Sequence, residues 1–436
     1  MILIPGGGHL LPGIILRGVF MKVIVCHPAQ QHSYRLAVAA KKCGFLDKYI
    51  TTVYYRHGSL TEITAKCLKG HFQRKAKSRC CYDLNNDEVI QFCEGEGLLK
   101  LLCMNIPFLR RAYYPIKYHL ADRFARKVAA YAVKNQVDAV ITYDDTSALL
   151  FEILSEKAPN IRRIMDVSAA NTLYMRHIYE RDIELAPTFA DRLKSERAIV
   201  WDEDRINRTK HELESTQYFL VPSNFVKRSL QFSGIRSENV FLCPYGVSSN
   251  QFTQKHYQKI SGRPIRFVYV GGVKELKGIY YLLEAFQKIP QSEANLQVVG
   301  KFNKADPDIA PYLEHVRFLG SVIHEEIEHI LHDADVFIMP SLGEGLSLAA
   351  MEAAMCGLPL IVTENSGIAD LMQDGRQGFV IPIQSAEAIY AAARAFIDDP
   401  ERIETMGREA HHMAESFDWN SYYERMGKIL KKIGTL

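Results

Sequence analysis

Short apolar segments of strand length alternate with helical patterns along most of the chain, in two separate series. The five apolar segments of the first series are 22–28, 139–145, 161–167, 218–223 and 240–246. The six segments of the second series are 265–272, 296–300, 316–320, 336–341, 357–363 and 378–382. This alternation is typical of parallel sheets covered on both faces by helices. We therefore predict an α/β protein with two Rossmann-like β/α/β domains facing each other across a cleft.

A polar stretch between the two series marks the domain boundary. The predicted units are an amino-terminal domain over 21–248, a linker over 249–264, a carboxyl-terminal domain over 265–415 and a final helix over 416–436. Residues 1–20 are apolar but broken by Pro and Gly, and they lack the charged start of a signal peptide. We expect a loose extension there, with a weakly membrane-touching segment as the alternative.

Composition and cysteine spacing limit the class of protein. The chain has 436 residues, enough for two or three domains, and no apolar run reaches the roughly 18 residues of a membrane span. Its nine cysteines are scattered without a C-x-x-C spacing. Reduced thiols in a cytoplasmic protein explain them better than a disulfide framework or a zinc site.

Positive charge is concentrated in the first half of the chain. Residues 1–221 hold 32 Lys and Arg against 24 Asp and Glu, and the segment Lys66–Arg79 holds six basic residues and no acidic one. That segment suits either a solvated helix or loop, or peripheral contact with an anionic membrane at its inner face. Nucleic acid is not expected as a partner, because no aromatic stacking pattern or known binding module accompanies the segment.

Two carboxylates interrupt the otherwise apolar stretch 343–361, GEGLSLAAMEAAMCGLPLI. Glu344 and Glu352 stand eight positions apart, and a charge in a core segment is costly unless it is paired. We predict a strand that ends at Pro340 and a helix that begins near Leu346, with Glu352 about two turns into it. The first amides of such a helix suit a diphosphate. The alternative is a carboxylate that complements the helix dipole, followed by a half-exposed helix glutamate.

An ordered series of motifs accompanies this stretch. The motifs are VPSNFVKRSL (221–230), PYGVSSNQF (244–252), YVGGVKELKGIYYLLEAF (269–286), VRFLGSVIHEEIEHILHDADVFIMPS (316–341) and EGLSLAAMEAAMCGLPLIVTENSGIADLMQDGRQGFV (344–380). Residues 218–420 thereby resemble family 4 glycosyltransferases, also called glycosyl transferases group 1, the large retaining family with the GT-B fold.

The resemblance implies that the carboxyl-terminal domain binds a UDP-, GDP- or ADP-sugar as donor substrate, without a separate cofactor. Lys277 and Glu344 would be the catalytic residues, the lysine neutralising the diphosphate and the glutamate contacting the sugar hydroxyls. Glu352 would bond the ribose. The other donor-binding positions would be Gly271, Gly272, Phe318, Gly320, Val322, Gly345, Leu346, Ser347 and Leu348.

No metal is expected at this site, because a fixed cation and helix amides can stabilise the leaving diphosphate. The acidic pairs at 144–145 and 202–204 lie in the other half and are better explained as surface charges. Two positions depart from the family. Gly272 stands where an arginine is usual, so Lys274 would have to replace it, and Asp370 stands where a glutamate is common.

The amino-terminal domain would bind the acceptor, whether a glycan, a lipid-linked molecule or a small molecule. The cleft-facing loops give His32, Asp166 and Asn171 as candidates, with a loop or helix-capping histidine and a strand-end turn carboxylate as the alternatives. The family often has Gly-Gly where 29–32 reads Ala-Gln-Gln-His, and a histidine where Asn171 stands. By the same resemblance the final helix would cross back to this domain; a plain terminal helix is the alternative.

The sequence therefore predicts a retaining, metal-independent glycosyltransferase. A nucleotide-sugar epimerase of the same fold is the alternative among enzymes, and a catalytically weak nucleotide-sugar-binding relative is the alternative outside them. Glycosidase chemistry, which also uses two carboxylates, is not supported, because Glu344 and Glu352 are better explained by donor binding.

Overall fold

A computed structural model describes residues 21–29, 32–196 and 198–436, so the predicted extension 1–20 and loop residues Gln30 and Gln31 lie outside the described part. Two parallel sheets of seven and six strands form the molecule, in the orders β3-β2-β1-β4-β5-β6-β7 and β10-β9-β8-β11-β12-β13. The strands of the first sheet are β1 Val23–His27, β2 Leu46–Thr51, β3 Val89–Gln91, β4 Ala139–Tyr143, β5 Arg162–Asp166, β6 Tyr218–Val221 and β7 Val240–Leu242. Those of the second are β8 Ile265–Val270, β9 Ala294–Val299, β10 Val316–Gly320, β11 Val336–Met339, β12 Leu360–Thr363 and β13 Gly378–Ile381. The predicted pair of Rossmann-like α/β domains is confirmed.

Helices cover both faces of each sheet. In the amino-terminal half they are α1 Ser33–Lys42, α2 Leu60–Cys67, α3 Gly70–Lys77, α4 Glu94–Asn105, α5 Arg110–Lys134, α6 Ala148–Lys157, α7 Thr172–Leu185, α8 Ala190–Glu196, α9 Glu203–Ser215 and α10 Asn224–Phe232. In the carboxyl-terminal half they are α11 Ile279–Gln287, α12 Ile327–Asp333, α13 Leu348–Met355, α14 Ala386–Asp398, α15 Glu401–Glu415 and α16 Trp419–Thr435. None of these combines the length and the apolarity that crossing a membrane requires.

The central strands consist of uninterrupted apolar or small residues because both faces of each sheet are buried. Every residue of β1, β4 and β11 is buried, as expected for parallel strands under helices. Helix α10 begins after Ser223, whose hydroxyl caps it by accepting a hydrogen bond from the amide of Val226. The buried apolar strands bring the polar residues that follow them to one edge of each sheet.

Two strands of the first sheet were not predicted. β2 reads LDKYIT, with its first three residues only partly buried, and β3 has three residues. Both lie at one side of the sheet, where β3 is the edge strand. The apolar run that marks a central strand is therefore missing from them, and periodicity could not reveal them.

The last helix packs on the opposite domain. Arg35 of α1 donates a hydrogen bond to the hydroxyl of Tyr423 at 2.9 Å, and its guanidinium lies 4.5 Å from the Trp419 ring centre. Beside it, the amide of Val247 donates to the carbonyl of Phe417 at 2.9 Å. The chain therefore passes between the two domains twice, along two adjacent backbone segments.

Candidate active site

The two residues predicted to be catalytic lie in contact. Lys277 ends a single 3₁₀ turn after β8, and Glu344 lies in the loop after the neighbouring strand β11. The Lys277 ammonium and the Glu344 carboxylate form an ion pair, and both side chains are largely buried, with exposed fractions of 22% and 17%. A cation and a carboxylate thus converge at the carboxyl edge of the second sheet, where ligands bind in such folds.

Close backbone packing fixes the position of Lys277. The next residue, Gly278, has φ +68°, and a Cβ there would lie 1.9 Å from the carbonyl oxygen of Pro340. Only glycine tolerates both conditions. The turn that carries the lysine is therefore held directly against the end of β11.

The loop that carries Glu344 is fastened to the end of β12. The Glu344 amide donates to the Asn365 carbonyl at 2.8 Å, the Ser347 amide donates to the Ser366 carbonyl at 3.3 Å, and the Asn365 side chain donates to the Leu342 carbonyl at 3.0 Å. These bonds set the loop's shape without any helix. They also occupy the amide of Ser347, which the sequence had offered to a diphosphate.

Helix α13 begins at Leu348, so the predicted start near Leu346 is wrong by two residues. The Ser347 hydroxyl caps the helix by accepting a hydrogen bond from the Ala350 amide at 3.3 Å, and a serine cap fixes where a helix begins. The amides of the first helical turn are consequently those of Leu348 and Ala349. Glu352 lies about one turn into the helix, rather than two.

Glu352 is an acid whose ionised form is disfavoured by burial. Burial raises its pKa from 4.5 to about 7, and among the described residues the basic side chain within 4.0 Å of it is His324, whose Nε2 lies 3.7 Å from the carboxylate. A carboxylate that is costly to ionise and has so little compensation is often a binding or catalytic group. The remaining exposure of its side chain, 17%, leaves an opening for hydroxyl donors.

The loop after β8 has room for a side chain at Gly272, the position where the family usually has an arginine. A Cβ on Gly272 would meet nothing closer than the Lys274 side chain, at 3.7 Å. The stem of Lys274 therefore lies over Gly272, while the residue as a whole is exposed. Gly271 is fixed by its amide, which donates to the Val299 carbonyl at 2.8 Å.

The predicted base loop follows β10. Phe318 packs at 4.8 Å from Phe302 with the two rings tilted by 30°, and Gly320 has φ +77°. The Gly320 carbonyl accepts a hydrogen bond from the Gly300 amide at 2.8 Å. Val322, two residues further, is partly exposed, so this loop presents backbone and apolar surface.

On the amino-terminal side, His32 and Asp166 lie together and Asn171 has a different partner. The His32 Nε2 is 3.4 Å from the Asp166 carboxylate, and the His32 ring packs 4.3 Å from that of Tyr245. Asn171 caps α7 by accepting a hydrogen bond from the Leu173 amide at 2.8 Å. The side chain of Asn171 is thus occupied by the helix that follows it.

The loops of the two domains touch beside these residues. A Cβ on Gly345 would lie 1.8 Å from the Ser168 carbonyl oxygen, two residues beyond Asp166. Nearby, the Asp370 carboxylate accepts hydrogen bonds from the Asn224 and Phe225 amides, at 2.6 and 3.3 Å. Asp370 therefore caps a helix of the other domain, a role for which the sequence carried no signal.

A buried polar cluster joins the domains farther along the interface. Tyr281 donates its hydroxyl hydrogen to Asp182 at 2.8 Å, and the Gln384 amide donates to the same carboxylate oxygen at 3.3 Å. Asp182 and the neighbouring Glu275 are both buried, and burial raises the pKa of Asp182. Sequence reasoning missed this cluster because its members come from both halves of the chain.

Asp144, taken from the sequence as a surface charge, is instead half-buried in the wall of a cavity. Burial, together with the carboxylates of Asp145, Glu212 and Asp166, raises its pKa to about 8. It accepts a hydrogen bond from the Ser168 hydroxyl at 3.3 Å. Asp144 is therefore hydrogen-bonded to Ser168, the residue whose carbonyl contacts Gly345.

Two sizeable cavities flank this contact. One of about 430 Å³ lies within the amino-terminal domain and includes Asp144 in its wall. The other, of about 530 Å³, lies between the domains and is lined by residues such as Arg181, Arg228, Asp370 and Gln384. Neither cavity is lined by Lys277, Glu344 or Glu352. Lys277 and Glu344 instead contact each other through their ion pair.

Comparison with known proteins agrees with this architecture. Residues 264–399 match the sequence profile of the family Glycosyl transferases group 1. The amylovoran biosynthesis glycosyltransferase AmsK of Erwinia amylovora is 26% identical over 232 residues, which cover 49% of this chain and 56% of AmsK. The D-inositol 3-phosphate glycosyltransferase of Paenarthrobacter aurescens is 28% identical over 203 residues, which cover 43% and 50%. The chain thus spans about half the length of these curated relatives.

Solved structures match over nearly the whole chain at low identity. Sucrose-phosphate synthase from Thermosynechococcus elongatus has a TM-score of 0.63 at 18% identity, covering 95% of this chain and 99% of that one. Anabaena HepE in complex with UDP-glucose has a TM-score of 0.59 at 15% identity, covering 94% and 100%. Residues 264–399 of this chain therefore match the family Glycosyl transferases group 1, and the chain as a whole has the GT-B fold.

Proposed function

We propose that this protein is a retaining, metal-independent glycosyltransferase that moves a sugar from a nucleotide-diphosphate sugar to an acceptor in glycan or glycolipid biosynthesis. The single observation that carries the proposal is the contact of Lys277 with Glu344 beside the start of α13. A cation for the leaving group and a carboxylate for the sugar meet there, in a domain of the matching family.

Donor binding would exchange the partners of this ion pair. The diphosphate would take the Lys277 ammonium and the free amides at the start of α13, because both favour an anion. Glu344 would then be released to accept hydrogen bonds from sugar hydroxyls. Glu352, one turn along the helix, would accept hydrogen bonds from the ribose diol.

Catalysis would follow from charge that grows on the leaving diphosphate. As the bond from the anomeric carbon to the diphosphate breaks, the leaving oxygen becomes negative, and Lys277 stabilises it. The acceptor hydroxyl attacks from the same face, and its proton passes to the leaving oxygen. Positive charge from the lysine is the reason for proposing no metal.

Substitution at the ion pair tests the proposal. Lys277→Ala and Glu344→Gln should each lower donor turnover at least ~100-fold, the magnitude associated with removing one preorganised stabilising group. The assay is release of nucleoside diphosphate from a panel of UDP-, GDP- and ADP-sugars, with circular dichroism to verify folding. Lys304→Ala, at an exposed lysine of the same domain, is the matched control. Turnover at the wild-type rate by both variants would refute the assignment.

Gly272 favours a second candidate, a nucleotide-sugar-binding protein of weak activity. The position offers no side chain to the diphosphate and is covered only by the stem of Lys274. Calorimetric binding of a nucleotide sugar without turnover would favour this candidate. Epimerised donor formed without any acceptor would instead indicate the epimerase.

We also propose that the protein contacts an anionic lipid surface through α2, α3 and the carboxyl-terminal part of α4. The segment Lys66–Arg79 forms part of the wall of an apolar cavity of about 350 Å³. Exposed apolar side chains are found on the same segments: Phe72, which lines the cavity, Ile63 on α2 and Phe108 just after α4, with exposed fractions of 53%, 56% and 80%. Cations around exposed apolar groups match an interface of anionic headgroups over acyl chains.

Vesicle sedimentation tests the lipid contact. The wild type should sediment with phosphatidylglycerol vesicles and not with phosphatidylcholine vesicles. Joint substitution Phe72→Ser and Phe108→Ser should abolish this, whereas Phe232→Ser, at an exposed phenylalanine on α10, should not. Equal sedimentation of wild type and double variant would reject the contact.

A further inference from the structure

The cavity of about 430 Å³ in the amino-terminal domain is a built site that the donor chemistry does not use. It lies where β1 and β4 end, and helices α4, α5 and α9 enclose it. Every residue in its wall belongs to the amino-terminal domain. Its volume is in the range of sites for small ligands.

Two lysines converge on this cavity without a carboxylate partner. Lys100 of α4 and Lys117 of α5 both line it and are both half-buried. Among the described residues, no carboxylate oxygen lies within 4.0 Å of either ammonium, and the one acceptor that Lys100 reaches is the Pro28 carbonyl at 3.5 Å. Burial and the charge of Lys117 lower the pKa of Lys100 to about 8, and burial lowers that of Lys117.

The carboxylates in the same wall are already engaged. Arg205 donates to both oxygens of Asp145 at 2.5 Å. Glu212 accepts hydrogen bonds from the amides of Ser147 and Ala148, at 2.9 and 3.2 Å, and so caps α6.

The remaining acids of the wall are also accounted for. Asp202 caps α9, accepting a hydrogen bond from the Arg205 amide at 3.2 Å, and Asp204 is exposed at the rim. Asp144 accepts a hydrogen bond from the Ser168 hydroxyl at 3.3 Å, and burial together with the neighbouring carboxylates raises its pKa to about 8. No acid of the wall therefore forms an ion pair with either lysine, and Asp145 acts on Lys117 only from beyond contact distance.

We propose that Lys100 and Lys117 bind a phosphate group of the acceptor substrate in this cavity. Two half-buried lysines line this one cavity. An oxyanion that carries more than one negative charge would stabilise both of their ammonium groups. The proposal rests on the proposed function, in which this domain holds the acceptor. It adds the chemical class of that acceptor, a phosphate monoester.

The position of the cavity suits an acceptor that must reach the donor. Asp144 in its wall bonds to Ser168, and Ser168 touches the donor loop at Gly345. A sugar phosphate anchored at the lysines would extend past Asp144 toward that contact. The phosphate would thus orient the attacking hydroxyl rather than react.

Two sources could supply the phosphate. A water-soluble phosphorylated sugar is one, and a lipid-linked phosphate is the other. Helix α4 presents Lys100 to this cavity, while its residues Leu98, Leu101 and Leu102 line the apolar cavity described above. One helix therefore separates a phosphate site from a site suited to an apolar chain.

Site-resolved lysine acylation, read by mass spectrometry, tests the proposal. Inorganic phosphate or pyrophosphate should slow acylation of Lys100 and Lys117 severalfold and leave Lys134, exposed on the same α5, unchanged. A bound nucleotide sugar should protect Lys277 instead. Failure of the phosphate site is thereby distinguished from failure of the donor site, and absence of protection at Lys100 and Lys117 overturns the proposal.

Variants provide the second measurement. The joint substitution Lys100→Gln and Lys117→Gln should weaken phosphate binding roughly tenfold or more, since charge-assisted bonds are lost, while binding of the nucleotide sugar persists. Lys277→Ala should show the reverse, and Lys134→Gln is the matched control. Unchanged phosphate affinity in the double variant overturns the proposal.

Two further ligands identify the source. Protection of Lys100 and Lys117 by glucose 6-phosphate in solution indicates a water-soluble acceptor. Protection only by phosphatidylcholine vesicles that contain polyprenyl phosphate, and not by plain vesicles, indicates a lipid-linked one. If neither ligand protects the two lysines, a phosphorylated acceptor is rejected.

Discussion

The two sheets are built on the same plan, yet their carboxyl edges differ in charge and in how they are assembled. The edge of the second sheet draws its polar groups from two short turns next to strands β8 and β11, which hold Lys277 and Glu344 in contact. The edge of the first sheet combines strand ends with long helices, so that Lys100 and Lys117 face Asp144 across a cavity. The first arrangement joins two turns of one recognised motif series, and the second depends on helices packed against strand ends.

This difference explains how each region could handle an anion. The second sheet offers a single cation already neutralised by a carboxylate, together with the start of α13. The first sheet offers two cations that no carboxylate neutralises within the described residues. We therefore expect an anion at the second sheet to displace Glu344 from Lys277. At the first sheet we expect an anion to neutralise Lys100 and Lys117 directly.

The largest effect should come from breaking the contact between the two edges. Gly345→Ala would place a Cβ 1.8 Å from the Ser168 carbonyl oxygen, and backbone on both sides prevents relief by a rotamer change. The domains would be held apart, and a misplacement of about 1 Å can cost ~100-fold in turnover. The measurement is turnover with folding checked by circular dichroism.

The matched control for that change is Gly95→Ala, because a Cβ at Gly95 meets nothing within 4 Å. It should leave turnover unchanged. Normal turnover by Gly345→Ala would show that the observed contact is not part of the working enzyme.

The next effect concerns the acid of the donor edge. Folding raises the pKa of Glu352 from 4.5 to about 7. Between pH 4.5 and pH 7 the folded protein therefore keeps a proton on Glu352 that the unfolded chain has released. Stability therefore falls as pH rises from 4.5 to 7. Glu352→Gln should remove this loss and stabilise the protein above pH 7 by up to ~3 kcal/mol, while weakening nucleotide binding. Urea denaturation at pH 5 and pH 8 measures the first effect and calorimetry the second; an unchanged difference between the two pH values would contradict it.

A smaller effect is expected from adding a second cation to the donor edge, at Gly272. Gly272→Arg adds a guanidinium at a position where a Cβ meets the Lys274 side chain only at van der Waals distance, 3.7 Å, and should tighten nucleoside diphosphate binding about tenfold through a charge-assisted bond. Lys274→Ala should weaken that binding in the wild type and have little effect beside the new arginine. If Lys274→Ala is equally harmful in both backgrounds, Lys274 does not stand in for the arginine.

The smallest effect tests the distant end of the interface. Tyr281→Phe removes the hydrogen bond of 2.8 Å to buried Asp182 and should lower the free energy of unfolding by about 1 kcal/mol without altering donor affinity. Tyr390→Phe is the control, since that tyrosine is only partly buried on α14. A loss of donor affinity in Tyr281→Phe would mean that the two ends of the interface are coupled.

Sequence predicted the second sheet better than the first for a physical reason. Its six strands are each marked by an apolar run, and all were predicted. In the first sheet, half-polar β2 and three-residue β3 gave no such signal. Even in the second sheet the helix start was misplaced, because Ser347 caps α13 while the preceding residues form a loop fastened to β12.

The candidate sites divide in the same way. Lys277, Glu344 and Glu352 were recognisable because they occupy fixed spacings within one motif series. Lys100, Lys117 and Asp144 are brought together by two helices packed against a strand end and belong to no recognised motif, so no spacing reveals them. The contact between Gly345 and Ser168 requires both domains, and periodicity within either one carries no information about it.

The central claim is that the Lys277 and Glu344 edge holds a nucleotide-diphosphate sugar. The most direct measurement is thermal unfolding of the wild type and of Lys277→Ala with a panel of UDP-, GDP- and ADP-sugars, because a ligand that binds only the folded state raises its Tm. We predict that at least one donor raises the Tm of the wild type and that Lys277→Ala loses this increase. No increase with any donor, or an equal increase in both proteins, would contradict the claim.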